Sequence, residues 1–166
     1  LRERNVLAAT CGYVCPSETL CESECINQHY GQSVPIRRLQ RWVGRKAVEE
    51  GWAERPFETA PTTGRRVAVI GAGPAGVAAA AALARLGHSV TLFDRNPEPG
   101  GMARDTIPVL RLPNVILREE ARQMLVSFGA RIVRKTAMLN PGYTLDSVFS
   151  EGFDAGLLAT GLSHSV

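Results

Sequence analysis

The sequence has 166 residues and a mass of 17.9 kDa, enough for one domain or for a small domain plus part of another. Its net charge of +3 and pI near 8.9, without a dense lysine and arginine stretch, exclude nucleic acid as the main partner. The longest apolar stretch, Val77 to Leu86, contains Arg85 and is too short to span a bilayer. No secretory signal pattern opens the chain, and its start at Leu1 instead of methionine predicts a fragment.

The chain divides into two unlike parts. Residues 1–52 contain all four cysteines and an amphipathic helix, and residues 53–64 are rich in Pro and Thr without periodicity, which predicts a linker. Strand and helix signals alternate over residues 65–166, which predicts an α/β fold with a parallel sheet. We therefore expect a small α-helical domain followed by a Rossmann-like, three-layer α/β domain.

The cysteines Cys11, Cys15, Cys21 and Cys25 lie in one short window. A cytoplasmic protein with cysteines this tightly clustered more often binds a metal or cluster than forms disulfides. Their spacing matches neither the paired C-x2-C of structural zinc nor the usual ferredoxin runs. The residues alone leave open a soft-metal site of undefined type or four buried structural thiols.

A helix follows the cysteines. Pro35 suits its first turn, and apolar residues recur at helical spacing. They are Ile36, Leu39, Val43 and Ala47. Gln40 falls inside this stripe, and a buried amide needs a partner. A hydrogen bond to nearby backbone, exposure at the edge of the stripe, and a metal bound by the amide oxygen all remain open.

The second part shows four short apolar runs and two helical stretches. We expect the last strand to be buried at the centre of the sheet. The predicted strands are Val67–Ile70, Ser89–Phe93, Arg131–Val133 and Gly156–Ala159. The predicted helices are Pro74–Leu86 and Val115–Phe128, and a long loop separates the second strand from the second helix.

A glycine-rich turn joins the first strand to the first helix. It reads Gly71-Ala72-Gly73-Pro74-Ala75-Gly76 and matches the G-x-G-x-x-G fingerprint. The first glycine permits a tight turn, the second permits close approach of a pyrophosphate, and the third permits close packing of helix and sheet. Asp94 ends the next strand, where a ribose-binding carboxylate is expected. This context predicts a dinucleotide site, and the alternative is a plain glycine-rich turn.

An acid at Asp94 suits the ribose of NAD or FAD and disfavours a 2′-phosphate. Two further segments favour a longer ligand: Gly100-Gly101-Met102, which permits a second close backbone approach, and the small-residue turn at the end of Leu158–Gly161. Two ordinary loops are the alternative. The chain offers no nucleophile or catalytic triad, so no catalytic residue is predicted.

At this point four motifs in this order carry a specific resemblance: VAVIGAGPAG, FDRNPEPGGM, IPVLRLP and LLATG. They resemble the FAD-binding domain shared by the glutamate synthase small subunit and the flavoprotein half of dihydropyrimidine dehydrogenase. The resemblance implies that residues 71–75 hold the FAD pyrophosphate, that Asp94, where relatives often have Glu, binds the ribose, and that Arg111 pairs with a phosphate. From the residues alone, Arg111 is a solvated loop arginine. The other implied cofactor contacts are Gly76, Gly100, Gly101, Met102, Met138, Thr160 and Gly161.

The segment CGYVCPSETLCESECINQHYGQSVPIRRLQRWV resembles the cluster-bearing helical domain of the same family. It is closer to dihydropyrimidine dehydrogenase, because glutamate synthase has Glu in the place of Gln40. The resemblance implies that Cys15, Cys21 and Gln40 are ligands of one 4Fe-4S cluster, that Cys25 is a ligand of a second, and that Cys11 is not a ligand. It places the remaining ligands in an upstream cysteine run, so the ligand set is incomplete here.

The resemblance implies an electron-input protein. The intact protein would take hydride from NAD(P)H onto FAD and pass electrons through 4Fe-4S clusters to a partner subunit or domain. The NAD(P)H site would lie in a domain inserted after Gly161 and absent from this chain, which would be inactive alone. The alternatives are an NAD-dependent dehydrogenase with a zinc-binding or purely structural amino-terminal module, and a docking module without cofactor.

Overall fold

The computed structural model describes residues 1–52, 58–134 and 144–162. The amino-terminal part contains two α-helices, α1 (Ala8–Val14) and α2 (Ile36–Glu49). Two short 3-10 helices, Ser17–Thr19 and Ile26–Tyr30, lie between them, one before Cys21 and one after Cys25. The sequence pattern predicts α2 but not α1.

The second part alternates strands and helices, as predicted. Its elements are β1 (Arg66–Ile70), α3 (Pro74–Arg85), β2 (Ser89–Asp94), α4 (Gly101–Thr106), α5 (Asn114–Ser127), β3 (Arg131–Arg134), α6 (Leu145–Ser150) and β4 (Ala155–Leu158). The short helix α4 lies where a long loop is expected. Within the described ranges, no helix is long and apolar enough to cross a membrane.

The four strands form one parallel sheet in the order β3-β2-β1-β4. Ile70 at the end of β1 is in register with Phe93 of β2 and Leu158 of β4. The carboxyl ends of these three strands therefore meet at one edge of the sheet. The segments that follow them are the glycine loop, Asp94 with its loop, and the small-residue turn at Ala159.

The prediction that the last strand is buried at the sheet centre is wrong for the described residues. There β4 pairs only with β1, and Leu158 at its end is 53% exposed. An apolar run is typical of a buried strand, but it carries no information about strand order. The apolar side chains of β4 therefore remain uncovered in this structure.

Helices cover both faces of the sheet, which gives three layers. On one face Val69 and Leu92 pack with side chains of α3 and α5, and Leu7, just before α1, joins this cluster. On the other face Phe93 packs with Val148 of α6 and with Phe153, whose ring meets it edge to face. Because Leu7 lies in the main core, the amino-terminal part shares the hydrophobic core of the sheet.

Helices α1 and α2 cross at close range. A Cβ atom added to Gly12 would lie 2.6 Å from the Arg41 backbone nitrogen, and one added to Gly44 would lie 2.5 Å from the Ala9 Cβ. The prediction that Leu39 belongs to the buried stripe of α2 is wrong, because its side chain is 53% exposed. The face of α2 that approaches α1 is its small-residue face, because only small residues permit this distance.

The predicted linker is held in place where it is described. The Ala60 N–H donates to Arg85 O (2.8 Å), and the Thr63 N–H donates to Gly87 O (3.0 Å). The Thr63 hydroxyl also lies 2.7 Å from His88 Nδ1. Residues 58–64 therefore pack against the turn between α3 and β2, and residues 53–57 lie outside the described ranges.

Candidate dinucleotide and cysteine sites

Two glycines of the loop after β1 are required by packing. Gly71 has φ +110°, and a Cβ atom there would collide with the Ala159 carbonyl. A Cβ atom at Gly76 would collide with the Gly71 carbonyl. These two positions let β1, α3 and the segment after β4 approach each other, as the fingerprint predicts.

Gly73 differs from its two neighbours because it faces open space. An added Cβ atom would have one neighbour within 4 Å, the Gly101 Cα at 3.9 Å. Gly73 has φ −71° and ψ 179°, a conformation that any residue adopts. It is the N-cap of α3, Pro74 follows at the first helical position, and no side chain caps the helix. The first N–H groups of α3 are therefore available to an anion in this space.

The second glycine pair packs directly on the first loop. The Gly100 N–H donates to Ala72 O at 2.8 Å. Gly101 has φ +50°, and a Cβ atom there would lie 2.9 Å from the Gly73 Cα. Met102 follows in α4 and is 48% exposed. The structure thus joins both glycine segments into one wall, which we call the glycine cradle (residues 71–76 and 100–101).

Asp94 lies beside the cradle and is fixed by backbone. Its Oδ2 accepts from the Ala72 N–H at 2.5 Å, and its Oδ1 accepts from the Asn96 N–H at 2.7 Å. The carboxylate is partly buried, and each oxygen keeps a second acceptor site. This placement next to the glycine loop is what a ribose-binding carboxylate requires.

The turn after β4 closes a third side of the cradle. The Ala159 N–H donates to Ile70 O at 2.8 Å, and the Ala159 carbonyl lies against Gly71. Thr160 is exposed, and Gly161 has φ +70° with open space around it. The structure therefore brings three of the segments that the motifs single out to one edge of the sheet.

Two predicted contacts are not placed at the cradle. The Arg111 Nη2 donates to the Val14 carbonyl at 3.1 Å, at the end of α1. Met138 lies outside the described residues. Their roles toward a cofactor remain predictions.

The four cysteines are free thiols, and none is fully buried. Cys15 is the residue that ends α1, and its carbonyl accepts from Arg37 Nη1 at 3.3 Å. Cys21 is exposed, and Cys25 precedes the second 3-10 helix. In the described part of the chain, no three Cys, His, Asp or Glu side chains form a group that could hold a metal ion. The exposure argues against four buried structural thiols.

Gln40 is half-buried at the crossing of α1 and α2. Its Nε2 donates to the Ala8 carbonyl at 2.8 Å. This is the backbone hydrogen bond that the simpler interpretation of a buried amide expects. The bond uses the amide nitrogen and leaves the amide oxygen for another partner.

Sequence reasoning missed two carboxylates that cap helices from a distance. Glu120 of α5 is fully buried, and its Oε1 and Oε2 accept from the Ala9 and Thr10 N–H groups at 2.6 and 2.8 Å. Burial raises the pKa of the Glu120 carboxyl, while those N–H groups and Arg2 act in the opposite direction. Its place among the apolar residues of α5 is the signal that could have revealed it.

The second capping carboxylate is Glu22. Its Oε1 accepts from the Arg37 N–H in the first turn of α2 (3.0 Å) and from the Ser17 hydroxyl (2.8 Å). The hydrogen bond from the Arg37 backbone, followed by that from Ser17, lowers the pKa of Glu22. Both helices of the cysteine part therefore begin at a carboxylate that lies elsewhere in the sequence.

Two family models match different parts of the chain. Residues 1–52 match the family model described as dihydropyrimidine dehydrogenase domain II, 4Fe-4S cluster. Residues 69–139 match the model of the NAD(P)-binding Rossmann-like domain. The two matches are those of a class of oxidoreductase that combines a 4Fe-4S-type domain with a Rossmann-like NAD(P)-binding domain.

Individual relatives identify the family more closely. The chain is 39% identical over 132 residues to the NAD-dependent dihydropyrimidine dehydrogenase subunit PreT homolog of Salmonella typhi, covering 80% of this chain and 31% of that protein. It is 36% identical over 166 residues to the glutamate synthase (NADPH) small chain of Escherichia coli K12, covering 99% and 34%. These relatives and the two matched models fit the family that the motifs indicate, and the chain spans about a third of the length of the curated relatives it matches.

A solved structure shares the fold. The 6-hydroxypseudooxynicotine amine oxidase of Pseudomonas geniculata N1 matches with a TM-score of 0.50 and 25% sequence identity. The match covers 70% of this chain and 17% of that one.

Proposed function

We propose that this chain is the cysteine-bearing and FAD-binding part of a flavoprotein oxidoreductase. In the intact protein, FAD accepts hydride from NAD(P)H and electrons leave through 4Fe-4S clusters to a partner subunit or domain. The PreT relative is named a subunit and NAD-dependent, and the glutamate synthase relative is named a small chain with NADPH. These names support an electron-input role, which we place in the cytoplasm.

The open space at Gly73 is the observation that carries the proposal. At two of the three fingerprint glycines, neighbouring backbone occupies the space of a Cβ atom, whereas Gly73 faces open space beside the uncapped start of α3. A pyrophosphate would sit there against the N–H groups of Ala75 and Gly76, where the helix dipole favours negative charge. The cradle thus fits the phosphate portion of a dinucleotide.

The surroundings of the cradle favour FAD. Asp94 would accept hydrogen bonds from the ribose hydroxyls, and its charge would repel a 2′-phosphate. Met102 follows Gly101 in α4 and is 48% exposed, and Thr160 and Gly161 follow Ala159, whose carbonyl lies against Gly71. These segments suit a ligand that extends beyond the pyrophosphate, with the flavin next to Met102. When bound, FAD supplies the conversion of two-electron hydride transfer to one-electron transfer.

The cysteine part suits an iron–sulfur role. Free, partly exposed thiols are the donors that 4Fe-4S clusters use. We propose Cys15, Cys21 and Gln40 as ligands of one cluster and Cys25 as a ligand of another. The only further cysteine of the chain is Cys11, and we propose that the other ligands come from residues outside this sequence.

A test at Gly73 separates ligand binding from folding. Gly73→Val in the full-length protein should fold like the wild type, because its backbone conformation is ordinary and its surroundings are open. We expect purified protein with less than about a tenth of the wild-type flavin, because the side chain occupies the pyrophosphate position. Flavin absorbance and circular dichroism measure the two effects.

Gly156→Ala serves as the matched control, since a Cβ atom there meets nothing within 4 Å and the backbone is unstrained. It should keep its flavin. A Gly73→Val protein with a full flavin complement would contradict the assignment. Release of NAD instead of FAD from the wild type would support the second candidate, an NAD-dependent dehydrogenase domain, which the match to the NAD(P)-binding Rossmann-like model favours.

A further inference from the structure

The start of α1 is held by the dinucleotide-binding part of the chain. Leu7 at the N-cap has no side chain that caps the helix. Glu120, which lies 111 residues from Ala9 in the sequence, supplies the missing cap. Its two carboxylate oxygens accept hydrogen bonds from the Ala9 and Thr10 N–H groups. Arg2 lies 4.0 Å from the same carboxylate, and both side chains are at least nine-tenths buried.

The end of α1 is held from the same side. Arg111, in the loop before α5, donates from Nη2 to the Val14 carbonyl. The next residue is Cys15, which ends the helix. A carboxylate thus binds the free N–H groups at the start of α1, and a guanidinium binds a free carbonyl at its end, as the helix dipole favours.

An apolar cluster connects α1 with α4, the helix that begins at the glycine cradle. Ala9 and Tyr13 share an apolar cluster with Leu112 and Ile116, and Ala103 and Ile107 pack against that cluster. Ala103 belongs to α4, which begins at Gly101 of the glycine cradle. A continuous set of packed residues therefore connects the cradle to the helix that ends at Cys15.

From these contacts we infer that Glu120 and Arg111 are positioning residues that fix the cysteine-bearing end of α1 at a set distance from the glycine cradle. A leucine at position 120 would avoid the desolvation that a buried carboxylate suffers, but it would not bind the two amides. The effect that this positioning would have on electron transfer from the cradle to the cysteines rests on the proposed function. The hydrogen bonds of Glu120 and Arg111 to α1 do not depend on it.

The first measurement is amide hydrogen exchange of residues 6–14 in the full-length holoprotein. Glu120→Gln keeps one acceptor oxygen but places an NH2 group against a backbone N–H. We expect exchange at Ala9 and Thr10 about tenfold faster than in the wild type, with α3 and the sheet unchanged. The matched control is Glu119→Gln, the preceding residue on α5, which pairs with Arg118 and Arg122 at the surface and should change nothing at α1.

The second measurement separates positioning from general destabilisation. After reduction by NAD(P)H, the rate of cluster reduction should fall roughly tenfold in Glu120→Gln, because electron transfer depends on geometry. The rate of flavin reduction and the flavin and iron contents should stay at wild-type values. A merely structural role would lower these contents without a selective effect on the second step.

The outcomes distinguish the claims. Wild-type exchange at Ala9 and Thr10 in Glu120→Gln, or unchanged cluster reduction in that variant, overturns the inference. If Glu120→Gln does not fold, Glu120→Asp, which keeps the carboxylate but shortens its reach to the two amides, carries both measurements. If the wild-type protein contains no flavin, the proposed function fails, while the exchange experiment still decides whether Glu120 holds α1.

Discussion

At the residue scale, the three glycines of the G-x-G-x-x-G fingerprint differ in what surrounds them. Gly71 and Gly76 are required because backbone carbonyls occupy the space of their Cβ atoms, so their role is in folding. Gly73 has that space free, and we propose that a ligand occupies it. The fingerprint predicted all three positions, and the packing of Gly71 and Gly76 distinguishes these two from Gly73.

Asp94 allows a direct test of ribose binding. Asp94→Ala removes a charge-assisted hydrogen bond worth roughly 1.5–3 kcal/mol. We expect the FAD dissociation constant of the full-length protein to rise about tenfold to a hundredfold, measured by fluorescence titration of apoprotein. Asp105→Ala, at an exposed partner of Arg104, is the control. An unchanged dissociation constant for Asp94→Ala would mean that this carboxylate only orders the backbone of Ala72 and Asn96.

Gln40 is a test of the cluster ligands. Gln40→Leu removes both the amide oxygen and the hydrogen bond to Ala8 O. We expect one of two clusters to become labile in the full-length protein while FAD stays bound. Gln40→Cys should lower the potential of that cluster, because it replaces a neutral donor with a negative one. Redox titration followed by electron paramagnetic resonance measures both effects.

Wild-type signals and potentials in both variants would leave Gln40 as a hydrogen-bonded residue at a helix crossing. Gln28→Leu is a suitable comparison, since Gln28 also donates to backbone carbonyls, those of Glu22 and Ser23, but is exposed. It should not alter either cluster.

At the scale of elements, hydrophobic periodicity predicted the helices and strands that bury an apolar face. It missed the helix α1, whose order depends on contacts with distant residues. The segments of β1, β2, α3 and α5 have apolar patterns of the correct period, and their predicted bounds agree with the structure to within one or two residues. The sequence of α1, AATCGYV, has no such pattern and no local cap. Its start depends on Glu120, a contact that no window of neighbouring residues contains.

The close approach of α1 and α2 predicts that a Gly→Ala substitution in α2 changes the stability of the protein in the direction opposite to the usual one. Gly→Ala inside a helix normally stabilises by about 0.5–1 kcal/mol. Gly44→Ala should instead destabilise by roughly 1–3 kcal/mol, because its Cβ would lie 2.5 Å from the Ala9 Cβ. Thermal unfolding of the full-length protein should show a lower melting temperature, with Gly156→Ala as the neutral control. A melting temperature raised by Gly44→Ala would show that the helices separate at little cost.

At the scale of the whole molecule, a two-part chain with a linker was expected, and the parts prove to share a core. Composition distinguishes residues 1–52 from the rest, yet Leu7 packs in the core of the sheet and Glu120 binds α1. Convergence of the glycine loop, Asp94 and Ala159 was predictable because carboxyl ends of parallel strands meet at one edge. The sequence could not predict the edge position of β4 or the contact of Arg111 with Val14, because both depend on packing between distant segments.

The most direct test of the account is the cofactor content of the full-length wild-type protein, purified without oxygen. We predict one noncovalent FAD per chain, identified by mass after release, together with iron and acid-labile sulfide in equal amounts. Release of NAD, or of no nucleotide, would contradict the assignment of the glycine cradle to FAD. Zinc in place of iron and sulfide would contradict the assignment of Cys15, Cys21 and Cys25 to 4Fe-4S clusters.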